Sequence, residues 1–555
     1  MFTFFLSYFL RSFGRFFLKN RTAKIVTVSG FIVVFSFLVM VVYLGFRSGF
    51  QYIAKDLFFG DALFLYIVEL FLLVTAILVV ASALISGIFA LFEGGSSPLL
   101  LSSPRYQWKP ALVFLKMFLS SLWPLLVLIL PALVAVRSVY GLPLSGFVLV
   151  IFSVVSLTAL CVVGAMMMLF VISWFLYLLG GRSAKLLTLR NFSFLVALSF
   201  LVKLFFIARM VTTVDLVKFF QARVLDVSIV DLSPLLDQFH ILPTHFSAMV
   251  IYLSRTGDLP SALFYVLYFV PVLFVGIGAL SLLGRHHLTL WQLFQEHAAS
   301  TVGQSALPRF GSLLLLKSSN APGAIVGKEV VTFMRNARGL LWLGFIVLIW
   351  FMQVGASKIL SHGLGDERVT GDMIPSFVLV FQFAVVIYFV SMFVLRFAFP
   401  SFSSERKTSW IVGSAPASLG VVFLSKLRFF TILFSVIAII FTLMNALVVG
   451  LPLYSALLFV MVIMIATLVL TAYGLSLGAL FPNFESDDPE VLSTTIPGLG
   501  FIFGSLVYGA FGGYAFGLFA RGSNEVPLVV FVLFSLASVS ALVRLAKRSL
   551  ARAEF

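Results

Sequence analysis

The sequence predicts an all-α polytopic membrane protein with about 12 transmembrane helices in two parallel six-helix halves. Three observations predict this class: the composition, the recurrence of long apolar runs and the placement of Lys and Arg. Hydrophobic residues make up 61% of the 555 residues, charged residues make up only 10%, and the mean hydropathy is +1.14. Soluble domains average roughly 45–50% apolar and 25% charged residues. An ordinary soluble domain is therefore excluded.

Twelve apolar runs are long enough to cross a bilayer, which takes roughly 20 residues of helix. We expect helices because a spanning backbone must satisfy its own hydrogen bonds, and barrel strands would show ten-residue alternation instead. The predicted spans are 25–46, 63–91, 111–138, 144–180, 192–211, 261–284, 339–361, 374–400, 421–449, 451–481, 497–520 and 526–545.

The basic residues predict the orientation. If the N-terminus is cytoplasmic, 26 of the 37 Lys and Arg residues fall on the cytoplasmic side. The positive-inside rule then places both termini in the cytoplasm. We interpret the net charge of +16 as topological retention together with attraction to anionic membrane lipids. No nucleic-acid partner is needed to explain it.

Residues 1–20 predict an amphipathic helix that lies on the cytoplasmic leaflet. At 3.6 residues per turn, Phe side chains share one stripe and basic side chains share another, which is typical of an interfacial helix. The stripes consist of Phe2, Phe5, Phe9, Phe13 and Phe16, and of Arg11, Arg15 and Lys19.

The chain divides into two halves with the same plan. We predict a first six-span half at 1–284, which includes an outer loop at 212–260, then a cytoplasmic linker at 285–325 and a second six-span half at 326–555. An even number of spans per half makes the repeat parallel. Local matches support the repeat, since Glu93, Pro104 and Lys116 recur with similar spacing as Glu405, Pro416 and Lys426.

The repeated inner loops, at 92–110 and 401–420, each hold a short apolar stretch that ends in Ser-x-Pro. The proline stops a helix and restricts the residue before it. Each loop can therefore form a short helix parallel to the membrane. Its apolar residues, which include Leu100 and Trp410, would be costly to leave exposed. We expect the inner leaflet or a partner protein to cover them.

Several catalytic patterns are absent from the sequence. It contains no G-x-x-x-x-G-K-[ST], no G-x-S-x-G and no H-E-x-x-H. Cys161 is the only cysteine, and the six His residues lack metal-ligand spacing. The sequence thus predicts that the chain is not an enzyme and holds no metal. A membrane transferase would have to rely on isolated residues such as His240 and His245.

The layout resembles the membrane (permease) subunit of ABC exporters of the second export class, with two six-span halves fused in one chain. The resemblance rests on the amphipathic helix at 1–20, on six spans per half and on the Glu-to-Pro inner loops. The stretches 99–104 and 410–416 are similar to coupling helices of that family, and 479–485 resembles the end of a cytoplasmic-facing span in fused members.

The resemblance implies a location in the bacterial inner membrane and a function. A hydrophobic or amphipathic substrate would move by alternating access, powered by a separate ATPase that is present in two copies. ATP and Mg would bind to that ATPase, with no cofactor on this chain. The implied ATPase-coupling residues are Glu93, Leu100, Ser103, Pro104, Glu405, Trp410, Ala415 and Pro416.

Three charges fall inside predicted spans: Glu69, Lys203 and Arg209. Buried charge in a membrane usually faces a partner or a water-filled path. Counting residues from the span ends places Glu69 between the other two in height, so that it could pair with either. These charges form either a structural ion pair or part of the substrate path, in which Lys203 or Arg209 would attract an anionic group.

Two other functions stay open at this point. An ion-coupled secondary transporter also often has twelve spans, but it needs acidic or His residues near mid-membrane, where only Glu69 qualifies. A polytopic membrane transferase is the third option. The acidic outer loop at 212–260 lacks a counterpart in the second half, and it could bind an accessory protein.

Overall fold

A computed structural model shows the fold, and every regular element in its described residues is helical. The all-α class is thus confirmed for that part of the chain. The structure describes residues 21–54, 60–88, 90–91, 109–122, 124–180, 189–212, 239–284, 321–335, 339–340, 342–347, 349–351, 353–354, 373–408, 418–449, 453–482, 492, 495–520 and 525–550.

The chain forms two compact units. The first unit is Ser36–Ser305, and the second is Met1–Phe35 with Ala306–Phe555. The division falls within the first described helix. The helices up to residue 305 are α1 (Arg21–Ala54), α2 (Gly60–Ile88), α3 (Lys109–Ser120), α4 (Leu130–Tyr140), α5 (Leu144–Gly180), α6 (Leu189–Thr212), α7 (Pro243–Thr256) and α8 (Leu259–Gly284).

The later helices belong to the second unit. They are α9 (Ala321–Arg335), α10 (Met373–Phe393), α11 (Leu419–Val449), α12 (Leu453–Leu480), α13 (Ile496–Ala520) and α14 (Val526–Leu550). A π-helical turn, Val394–Ala398, and two 3₁₀ segments, Phe399–Ser401 and Ser403–Thr408, continue α10.

Nine helices in the described residues are long and apolar enough to cross a membrane. They match nine of the twelve predicted runs and are Phe64–Ile88, Val113–Tyr140, Leu144–Leu176, Leu259–Leu282, Gln382–Ser401, Leu419–Val448, Leu453–Leu480, Ile496–Phe519 and Val526–Arg548.

The other three runs correspond to α1 and to two shorter apolar helices, Phe194–Leu204 and Trp342–Phe351. Twelve spans and cytoplasmic termini stay predictions. The amphipathic helix expected at 1–20 lies outside the described residues.

In the first unit, α2, α4, α5, α7 and α8 surround an apolar core. Helix α7 lies in the region where the sequence analysis expected an outer loop. It packs against α2, α5 and α8, and its Ala248, Val250 and Ile251 are buried. Part of this region is therefore a buried helix. Gly257, at φ 87°, ends α7 in the left-handed conformation and lets the chain turn into α8.

In the second unit, aromatic side chains dominate the core. The Trp350 ring stacks on Phe389 of α10 and on Phe441 of α11, at centroid distances of 5.0 and 4.3 Å. Helix α12 packs against α11 and α14, and α10 packs against α13. Stacked aromatic pairs contribute beyond their buried area, so these rings fix how the helices meet.

Helix α12 passes directly over the 3₁₀ segment that follows α10. A Cβ atom added at Gly478 would lie 2.1 Å from the carbonyl oxygen of Phe399. Only glycine allows this approach of helix to backbone. The contact fixes where the chain leaves α10, and so it positions Ser401 and Glu405 in the site described next.

Candidate functional site: two buried charge clusters

The first cluster lies in the second unit and is centred on Lys426 of α11. The Lys426 side chain is 1% exposed. Its Nζ lies 2.8 Å from Oε1 of Glu329 and 2.8 Å from Oε1 of Glu405. It also donates to the carbonyl oxygen of Ser401 at 3.2 Å. An ammonium group has three donors, and these partners use all three.

Lys328 completes this cluster, which we call the Lys426 cluster. Its Nζ lies 2.8 Å from Oε1 of Glu405 and 3.8 Å from Oε1 of Glu329. Two lysines and two glutamates make the cluster neutral. Breaking such a pair leaves an uncompensated buried charge, which is strongly destabilising. The cluster therefore holds α9, the segment after α10 and α11 together.

Apolar neighbours enclose the Lys426 cluster. The Lys426 ammonium lies 5.2 Å from the centre of the Phe402 ring, and Phe402 stacks on Phe423 of α11. Burial alone would raise the pKa of Glu405, but the charge of Lys426 and the hydrogen bonds from Lys328 and Lys426 outweigh it and lower the pKa below its ordinary value. Glu405 is thus a carboxylate at neutral pH.

The second cluster lies in the first unit and joins α2 to the start of α7. Nδ1 of His245 lies 2.6 Å from Oε1 of Glu69, and both side chains are buried. The ring of His240 lies edge-on to that of His245, with centroids 4.4 Å apart. Oε2 of Glu69 has no hydrogen-bond partner among the described residues. We call these three residues the Glu69 cluster.

A second ion pair joins the other end of α7 to α2. Arg255 donates to Asp61, and its guanidinium carbon lies 4.1 Å from the centre of the Tyr140 ring and 4.8 Å from that of Phe64. Stacking on aromatic faces suits the planar guanidinium. The two pairs hold α7 antiparallel to α2 along most of its length.

Only some of the residues predicted from the sequence lie in the part of the chain that the structure describes. Of the coupling residues, Glu405 enters the Lys426 cluster. The others lie outside the described residues, namely Glu93, Leu100, Ser103, Pro104, Trp410, Ala415 and Pro416. Lys116, the counterpart of Lys426 in the sequence repeat, is exposed.

Glu69 is paired with His245, a residue that the sequence analysis did not connect with it. Lys203 is exposed on α6, and the side chain of Arg209 lies outside the described part. Sequence reasoning also missed Glu329 as the partner of Lys426. The repeat of Lys116 and Lys426 did single out Lys426, but it gave no signal for the partner.

Among the described residues, no group of three or more His, Cys, Asp or Glu side chains could hold a metal ion.

The apolar helices in the described part of the chain are those of a polytopic α-helical membrane protein. The sequence model of a family described as "Putative ATP-binding cassette" matches residues 20–519, and the chain belongs to this family. No curated protein and no solved structure matches the chain.

The family match corrects two expectations of the sequence analysis. We expected no nucleotide binding on this chain and a separate ATPase partner in two copies. The description of the family as an ATP-binding cassette, over 20–519, contradicts both. The absence of G-x-x-x-x-G-K-[ST] excludes only one kind of phosphate-binding loop. It does not exclude nucleotide binding through other residues.

Proposed function

We propose that the chain is the membrane-spanning permease of an ATP-driven exporter, which moves a hydrophobic or amphipathic substrate by alternating access. Membership of the ATP-binding cassette family carries the proposal, because eight of the nine apolar helices lie within the matched residues 20–519. The family match thus falls on helices suited to a membrane. ATP is the energy source that the family description indicates.

In this proposal the Lys426 cluster links the inner loop to the helices. Glu405 lies at the start of loop 401–420, and it is bound through Lys426 to α11 and through Lys328 to α9. Buried charge-assisted hydrogen bonds are short and strong. A movement of the loop would therefore carry α9 and α11 with it. Glu93 and Pro104 in loop 92–110 would have the equivalent role in the first half.

Lys203 is the best candidate for a residue on the substrate path. It is exposed on α6, within the apolar stretch Phe194–Leu204, and a charge at such a position usually serves a function. In this proposal its ammonium attracts an anionic group of an amphipathic substrate. Lys203→Gln should reduce transport of acidic amphiphiles more than that of neutral ones. Equal transport of both would remove Lys203 from the path.

The test of the function is transport by inside-out membrane vesicles from cells that produce the chain. A panel of neutral, acidic and basic fluorescent amphiphiles should include one that accumulates only with ATP, and not with a non-hydrolysable analogue. Vesicles without the chain are the first control. Glu405→Gln, at an equal amount of protein in the membrane, should lower the ATP-dependent rate. Equal accumulation with and without the chain, for every probe, would contradict the proposal.

A further inference from the structure

The Glu69 cluster lies well inside the first unit, at a turn of the chain that precedes α7. Asp61 and Glu69 of α2 pair with Arg255 and His245 of α7. Eight residues of helix separate the two α2 positions, which corresponds to about 12 Å. Since Glu69 lies within the apolar helix Phe64–Ile88, the start of α7 reaches the depth of that helix.

Helix α7 is too short to cross a membrane itself. Its 14 residues span about 21 Å, against a hydrocarbon core of about 30 Å. Its N-terminal end lies at the level of Glu69, and its C-terminal end lies at the level of Asp61. Non-helical backbone at such a depth is tolerated only where protein or water surrounds it. The turn 239–242 is such backbone, and its Phe239 is buried while His240 is exposed.

Two buried polar atoms near this turn have no hydrogen-bond partner among the described residues. The Oε2 atom of Glu69, with the side chain 0% exposed, has no hydrogen-bond partner among the described residues. The hydroxyl of Thr244, also buried, likewise lacks one among them. When His245 is neutral with its proton on Nδ1 and Glu69 is ionised, the pair has a net charge of −1 and one proton lies between Nδ1 and Oε1 of Glu69. The Nε2 atom of His245 can then accept a second proton and form an imidazolium–carboxylate pair.

We propose that His245, bonded to buried Glu69 and reached past exposed His240, is a proton-binding site of the first unit. The ligand is a proton from water, which Nε2 takes up while Nδ1 stays bonded to the carboxylate. Imidazole is the side chain that changes charge between about pH 5 and 8. Proton binding strengthens the attachment of the start of α7 to α2. The site does not depend on the proposed transport function.

The described helices around the site carry few other titratable or charged groups. Tyr66 lies on the same helix as Glu69, and its ring contacts Phe239. Helix α6 carries Lys203, which is exposed, and Arg209, whose side chain lies outside the described part. At the far end of α7, Asp61 and Arg255 pair with each other. Helices α5 and α8 bring tyrosines and Cys161 but no Asp, Glu, Lys or Arg. Among the described side chains, the ionisable ones in contact with His245 are therefore Glu69 and His240.

The test is an NMR titration of the full chain in detergent, with ¹³C-labelled His. The sequence has six His, so His245→Gln and His240→Gln each assign one resonance by its loss. We expect the chemical shift of the His245 ring in the unmodified protein to change as the pH is varied. Its pH dependence should differ in Glu69→Gln, because the carboxylate no longer stabilises the imidazolium.

The first part of the test is measured on the unmodified protein. The proposal therefore stays falsifiable even if the Glu69→Gln variant folds poorly. A His245 resonance that stays constant from pH 5 to 8 overturns the proposal. So does a titration whose midpoint is the same in folded Glu69→Gln.

A second measurement reports on the turn. Ile241 is 82% exposed. Ile241→Cys in a Cys161→Ala background should react faster with a membrane-impermeant maleimide at pH 8 than at pH 5.5. We expect a ratio of threefold or more, which corresponds to weakening of the attachment by roughly 0.7 kcal/mol. The rate is taken relative to Thr256→Cys, an exposed position at the other end of α7. A constant ratio of the two rates contradicts a role for the proton in holding the turn.

Discussion

At Lys426 a single ammonium group compensates two carboxylates inside the second unit. Both partners are held at 2.8 Å, and the lysine is 1% exposed. Lys328 contacts the same carboxylates but is 44% exposed. Water screens an exposed charge and leaves a buried one unscreened. The two lysines should therefore differ sharply in what they contribute to stability.

Lys426→Met should destabilise the protein far more than Lys328→Met. Losing one partner of a buried pair costs about 3–5 kcal/mol, whereas an exposed pair is worth about 0–1 kcal/mol. The measurement is thermal unfolding in detergent. Arg428→Met, at an exposed position of the same helix, is the matched control and should behave like the unmodified protein. Equal losses for Lys426 and Arg428 would show that the Lys426 cluster is not formed.

The lowered pKa of Glu405 predicts a loss of stability in acid. Because the pKa is lower in the folded than in the unfolded protein, the stabilisation is present above the unfolded value, about 4.3. It is lost as the pH falls through the folded value. Glu405→Gln should melt earlier than the unmodified protein at pH 7 and lose less as the pH falls from about 5 to about 3. Parallel pH profiles would contradict the charge assignment.

At the scale of elements, two contacts position the helices that carry the charge clusters. Helix α12 approaches the segment after α10 at Gly478, and helix α7 is held at its C-terminal end by Arg255. The first contact depends on the absence of a side chain, and the second on a guanidinium between aromatic rings. Each can be tested by a substitution that leaves the buried charges intact.

Gly478→Ala should be destabilising, although alanine favours helix. The new Cβ would lie 2.1 Å from the carbonyl oxygen of Phe399, and overpacking typically costs about 1–3 kcal/mol. Gly500→Ala in α13 is the control, since an added Cβ there meets nothing within 4 Å. Thermal unfolding of the two variants in detergent compares them. A Gly478 variant as stable as the Gly500 variant would show that α12 lies further from the 3₁₀ segment.

Arg255→Ala should destabilise the first unit more than Asp61→Asn. The Asp61 carboxylate is 65% exposed, so the ion pair itself contributes about 0–1 kcal/mol. The alanine variant loses in addition the contacts with Tyr140 and Phe64. Thermal unfolding again gives the measurement. A larger effect of Asp61→Asn would mean that charge, and not stacking, anchors the C-terminal end of α7.

For the whole molecule, the length of the apolar runs predicted nine of the described helices well, because a span must be apolar over about 20 residues whatever its neighbours are. Packing between distant segments could not be predicted in this way. Lys426 and Glu329 are 97 residues apart, and His245 and Glu69 are 176 apart. Helix α7 was missed because 14 residues interrupted by polar side chains resemble a loop in a hydropathy count.

The family description predicts that the purified chain binds ATP. Photolabelling with an azido-ATP analogue, in detergent and with Mg, should mark this chain, and excess ATP should compete. Labelled peptides would then locate the residues involved. Labelling that excess ATP does not reduce would contradict nucleotide binding by this chain.

Transport by the isolated protein tests the central claim most directly. The chain is purified in mild detergent with everything that remains bound to it and reconstituted into liposomes, and movement of an amphiphile across the bilayer is followed with and without ATP. We predict an ATP-dependent rate that rises in proportion to the amount of the chain and falls in Glu405→Gln. A rate that is the same with ATP, without ATP and in empty liposomes would contradict an ATP-driven transport role.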